Sequence, residues 1–71
     1  MEIGEKIYIR IEKKYGEDKY FYRKGKVFNI YPNYVLMDFS FDNGNNYKEG
    51  FNLIGLIYKK EEELDENDYI L

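Results

Sequence analysis

Hydrophobic and polar positions alternate most strictly at Lys6-Ile7-Tyr8-Ile9-Arg10-Ile11-Glu12, where three isoleucines point one way and Tyr8 and Arg10 the other. A period of two marks a strand with one buried face, so the pattern predicts a first strand over 6–12. The densest apolar stretch is 25–41, GKVFNIYPNYVLMDFSF, in which two runs, 27–31 and 34–39, flank the Pro32-Asn33 corner. β-Branched and aromatic residues suit a pleated surface, and Pro with Asn is turn chemistry. The stretch therefore predicts a central β-hairpin. Tyr20-Phe21-Tyr22 reads as a return strand, interrupted by Arg23-Lys24-Gly25-Lys26, where the glycine suggests a bulge or a sharp bend.

Polar residues then place the turns. Residues 13–19 read as a hairpin tip, and Phe41-Asp42-Asn43-Gly44-Asn45-Asn46-Tyr47 as the strongest turn, since Asn-Gly supplies the positive φ angles of a tight hairpin. A strand is expected over 46–51. Asn52-Leu53-Ile54-Gly55 is too short for an α-helix and predicts one 3₁₀ turn, followed by a last strand at Leu56-Ile57-Tyr58. Residues 59–71 read as an acidic tail, a frayed helix or a disordered one, whose apolar end Tyr69-Ile70-Leu71 docks on the domain or on a partner. The core expected from these faces is Ile7, Ile9, Ile11, Val27, Val35 or Leu36, Phe39, Phe51, Leu53, Leu56 and Ile57.

Two segments carry a resemblance. Gly25-Lys26-Val27 opens the central hairpin, and Lys48-Glu49-Gly50-Phe51-Asn52-Leu53-Ile54-Gly55-Leu56-Ile57 gives a strand ending in an aromatic, a one-turn linker and a closing strand. This order resembles the SH3-like small β-barrel and is similar to short SH3-like proteins encoded by phages and mobile elements of Gram-positive bacteria. The resemblance covers most of residues 4–58. It implies an all-β fold, a five-stranded, partly open barrel over 1–59 with one 3₁₀ turn, and an acidic C-terminal extension over 60–71. The chain departs from peptide-binding SH3 domains: it has no Trp, and its one Pro is Pro32, so recognition of proline-rich peptides is not implied. A Tudor-type methyl-lysine cage needs several aromatics on one pocket, for which Tyr8, Tyr20, Tyr22 and Tyr31 are the candidates.

Composition narrows the chemistry. The 71 residues suit one domain with a thin stability margin, and neither Cys nor His is present, which removes disulfides, thiol nucleophiles, and the commonest metal ligand and general base. Ser40 has no activating partner by spacing, and Asp38 with Asp42 reads as turn capping before it reads as a carboxylate pair, so no enzyme is expected. The loop at 42–46 lacks the bidentate glutamate of a calcium site, and neither a metal nor a cofactor is expected. No apolar run approaches a signal peptide or a membrane span, and a cytoplasmic protein is expected.

Charge is segregated. Residues 1–31 hold eight Lys/Arg against five Asp/Glu, whereas residues 32–71 hold three against nine, within a net charge of −3. Lys13, Lys14, Tyr15, Lys19, Tyr20, Tyr22, Arg23, Lys24 and Lys26 form the stretch best suited to nucleic acid, with cations on phosphates and rings on bases. Against it stand Glu17 and Asp18 and the acidic total. Nine Tyr and five Phe exceed what so small a core shelters, which favours contact surfaces. The tyrosines at 8, 15, 20, 22 and 31, with the tail carboxylates Glu61, Glu62, Glu63, Asp65, Glu66 and Asp68, are the candidate partner-binding residues. The expectation is a protein-interaction module that occupies a surface of a larger host protein, concretely an inhibitor of a bacterial defence or nucleic-acid-processing system, with homodimerisation a second outlet for the aromatics. The rivals are a nucleic-acid-binding module using 13–26 and a small-ligand binder with an aromatic pocket.

Overall fold

The alternation at residues 6–12 becomes a strand because only one of its faces is apolar enough to turn inward. The computed structural model describes residues 1–12, 20–39 and 47–70. Its strands are β1 (Lys6–Glu12), β2 (Tyr20–Ile30), β3 (Tyr34–Asp38), β4 (Lys48–Asn52) and β5 (Tyr58–Lys59). They pair antiparallel in one sheet of order β4-β3-β2-β1-β5, and the sheet is not closed. The hairpin tip expected at 13–19, Ser40 and Asp42, the Asn43-Gly44 turn and Leu71 lie outside the described residues.

β2 is the spine. Its first half, 20–26, pairs with β1, and its last part, 26–30, pairs with β3. The expected break at 23–26 does not occur: the strand runs through Gly25, and the register shifts instead between Val27 and Asn29. Glycine is required at 25 by close approach, because a Cβ there would lie 2.6 Å from Phe39 Cε1. The central hairpin closes with the Tyr31 amide donating to the Tyr34 carbonyl at 2.8 Å.

The inner face gathers Ile7 and Ile9 of β1, Val27 of β2, Val35 and Met37 of β3, and Phe39 into the buried cluster. Met1, Ile11, Phe51, Leu53, Leu56 and Tyr58 pack around it, so the sheet wraps around these residues. Register decides between Val35 and Leu36: Val35 is buried, and Met37 two residues on joins it. Ile57 is a correction, being 44% exposed, because the last strand forms at Tyr58–Lys59 and Tyr58 takes the inward position opposite Ile9. Residues 53–56 are also corrected. The Leu56 amide donates to the Leu53 carbonyl with Gly55 at φ +82°, a turn of the kind that requires glycine at its third position, and among the described residues the 3₁₀ helix sits at Glu61–Glu63 instead. The fourth strand begins at Lys48 and ends at Asn52, two residues and one residue later than expected.

Residues 60–70 fold back across the outer face. β5 lies on one side of β1, yet the Tyr22 amide, on β2, donates to the Tyr69 carbonyl at 2.7 Å, and Tyr22 forms a parallel bridge with Ile70. The segment between must therefore cross β1 and β2. Lys59, Lys60 and Asp68 tie it down: Lys59 Nζ meets Asp68 Oδ2 at 2.9 Å, and Lys60 Nζ meets Glu5 Oε2 at 3.7 Å. Tyr8 and Tyr22 share the crossed face and are only 6% and 3% exposed. Those two tyrosines were expected as contact residues on the surface; they are a second, smaller core, closed by the chain's own end.

Candidate functional site

Residues directly opposite in an antiparallel ladder share a face, so the register assembles the outer surface row by row. Lys48, Asp38, Lys26 and Lys6 stand side by side across β4, β3, β2 and β1. With strands about 4.8 Å apart, the row is roughly 14 Å long. Lys24, Tyr8 and Lys59 form the next row, and Tyr22 and Arg10 the one after. Lys6, Lys26, Lys48 and Lys59 come from four different stretches of sequence, and only the pairing makes them neighbours.

Aromatic rings border the lysines. Phe28, at the register shift, is 49% exposed, with Lys48 Nζ 4.7 Å from its ring centroid. Tyr34 is 41% exposed and stacks on Tyr31 at 4.6 Å and 17°. Its ring lies over Gly50, where a Cβ would come within 3.3 Å. Asn29 Nδ2 donates to the Tyr31 hydroxyl at 3.2 Å and fixes that ring. Such rigid exposed rings are suited to contact, since little rotamer freedom remains to be lost.

The sequence-predicted residues divide. Lys24 and Lys26 join the lysine face. Arg23 does not: it pairs with Ile9, shares the inner side, and lays its guanidinium 4.2 Å from the Phe39 ring and 5.2 Å from the Tyr47 ring. Tyr47 in turn donates to the Glu49 carboxylate, and that bond, with burial behind it, holds its hydroxyl above the usual tyrosine pKa. Lys13, Lys14, Tyr15 and Lys19 lie outside the described residues. Tyr20 meets Tyr22 edge-on and carries Arg10 above its ring at 3.9 Å. The four tyrosines of the cage reading do not converge, since Tyr20 and Tyr22 open β2 and Tyr31 follows its far end. Lys6, Lys48, Phe28 and Tyr34 were missed by sequence reasoning; the even–odd parity of β1 and β2 was the signal that places the first of them.

Glu61, Glu62, Glu63, Asp65 and Glu66 are exposed on the crossing segment, whereas Asp68 is directed inward to Lys59. Hydrogen bonding from the Asp65 amide, then from the Lys59 ammonium, holds the Asp68 carboxyl below the usual carboxylate pKa, against an opposing effect of burial. The same contact holds Lys59 above its usual value. A depressed carboxyl pKa stabilises above the unfolded value of 3.8 and is lost as pH falls through the lower folded value. A raised ammonium pKa stabilises below the unfolded value of 10.5 and is lost as pH rises through the folded one. The segment is thus anchored between about pH 4 and pH 10. Amide exchange checks this: the Tyr22 protection factor is expected to fall below that window while Ile9 stays protected, and Asp68→Asn is expected to lower it already at neutral pH.

A cleft of about 260 Å³ lies between Arg10 and Glu12 on one side and Phe51 and Leu56 on the other. It is below the usual size of a ligand pocket, and Phe51 is its one aromatic. Among the described residues no three Asp or Glu side chains gather as a metal site, and no helix is long and apolar enough to cross a membrane. Comparison with protein-family models, curated proteins and solved structures finds no match to this chain.

Proposed function

We propose that this chain is a non-enzymatic protein-interaction module that docks on a larger protein through the outer face of its sheet. The observation that carries the reading is a pair of exposed rings on the outer face, Phe28 beside the Lys48 ammonium and Tyr34 stacked on Tyr31, four residues along β3 from the lysine row. An SH3-like barrel is the matching architecture, supported by a fifth strand that returns beside the first in the order β4-β3-β2-β1-β5. On that resemblance the concrete role is a phage-type inhibitor occupying a surface of a host defence or nucleic-acid-processing protein.

Affinity capture from a bacterial lysate tests the reading, with wild type beside a Phe28→Ala/Tyr34→Ala variant. Rings that anchor an interface cost about 2 kcal/mol or more each on truncation, so the affinity behind capture is expected to fall by about a thousandfold for the double variant. Equal capture by both forms would refute this face as the contact. A second reading follows from the lysines themselves: Lys6, Lys24, Lys26 and Lys48 beside Phe28 form a cationic, ring-bearing sheet face of the kind that binds single-stranded nucleic acid. Mobility shift at two salt concentrations separates the two.

A further inference from the structure

The outer face carries two sets of charge that the fold keeps apart. Lys24, Lys26 and Lys48 make no ion pair among the described residues. Neither do Glu61, Glu62, Glu63, Asp65 and Glu66. The two sets are neighbours. The acidic segment crosses the rows of Tyr8 and Tyr22, and Lys26 with Lys48 stands in the row of Lys6, two residues along β1, or about 6.8 Å, from that of Tyr8. They do not neutralise one another because the segment is pinned at both ends, by Lys59 to Asp68 and by the Tyr22 amide to Tyr69. The lysines belong to strands whose register fixes where they stand.

A basic patch beside an acidic patch on one face is self-complementary under a two-fold axis lying between them and parallel to the face. Such an axis brings each patch of one copy onto the opposite patch of the other, the isologous arrangement of closed dimers. We propose that the occupant of this face is a second copy of the chain, with Lys26 and Lys48 of each copy against the residue 61–66 carboxylates of the other. The proposal rests on the reading that this face binds protein, and it makes a second copy the face's occupant when the larger protein is absent. Apolar groups fit the same symmetry: Phe28 lies at the lysine end, and Tyr69 and Ile70, both exposed, lie at the end of the acidic segment. A dimer held largely by exposed charge pairs weakens with salt.

Sedimentation velocity over a concentration series, at low and high salt, tests this with three proteins. Wild type is expected to dimerise and to dissociate as salt rises. Lys26→Glu/Lys48→Glu and Glu62→Lys/Glu66→Lys are each expected to weaken the dimer by at least tenfold, and an equimolar mixture of the two to restore association as a heterodimer. The second variant discriminates among occupants, because added lysines strengthen binding of a nucleic acid or an acidic protein while they weaken the self-complementary pair. A wild type that stays monomeric at low salt, a dimer indifferent to both reversals, or a mixture that fails to associate overturns the proposal. Should the dimer fail while capture still depends on Phe28 and Tyr34, the docking reading stands without it; loss of both removes both.

Discussion

Ile9→Ala is expected to remove about half of the chain's stability. Ile9 is fully buried at the middle of β1, opposite Arg23 on one side and Tyr58 on the other, within the one cluster that the strands share. Truncating such a side chain removes its transfer energy and leaves a cavity, together about 2–5 kcal/mol. At roughly 0.05–0.15 kcal/mol per residue, a chain of 71 residues has about 4–10 kcal/mol in all. The loss is therefore about half of the margin, which leaves the variant folded in water and unfolding at much lower urea. Ile54→Ala is the control. Ile54 is 88% exposed at the turn before β5, and its truncation is expected to change stability by less than about 0.5 kcal/mol. Urea titrations followed by circular dichroism measure both. A shift for Ile9→Ala no larger than that for Ile54→Ala would mean that the isoleucine face is not the core.

The strands that were legible in sequence are those whose burial is decided locally. Ile7, Ile9 and Ile11 alternate with polar residues, and β1 forms within the limits that pattern sets. Pro32-Asn33 between two apolar runs likewise marked the central hairpin. What escaped depends on partners distant in sequence. Tyr8 occupies a position that the alternation assigns to solvent, and it is buried because residues some fifty to sixty positions later cross its face. Gly25 looked like a break in a strand, since nothing local reveals that Phe39 will lie against it. The candidate face was half legible for the same reason. A run of basic residues on one strand points alternately to both sides, so Arg23 goes inward to Phe39 while Lys24 and Lys26 go outward. Lys6 and Lys48 complete the outward row from strands that the linear run never included.

Gly25 supports the second large effect, and the sign of that effect separates two explanations for the glycine. Its φ is not in the left-handed region, so backbone freedom gives no reason for it. If glycine were incidental, alanine in this strand would gain about 0.5–1 kcal/mol through reduced freedom of the unfolded chain. Space predicts the opposite. A Cβ would lie 2.6 Å from Phe39 Cε1 and 2.9 Å from Met37 Cε. Phe39 has little room to retreat: Arg23 covers its ring at 4.2 Å, with Phe51 and Tyr47 at 6.0 and 5.9 Å. Overpacking of this kind costs about 1–3 kcal/mol for one methyl, and Gly25→Val, with two more carbons, is expected to unfold the chain. If Phe39 is the obstacle, Phe39→Leu should cost less in the Gly25→Ala background than in the wild type. A coupling energy of about 0.5 kcal/mol or more in that double-mutant cycle would show it, whereas strict additivity or a stabilising Gly25→Ala would show that the close approach of the Phe39 ring is not what requires glycine here.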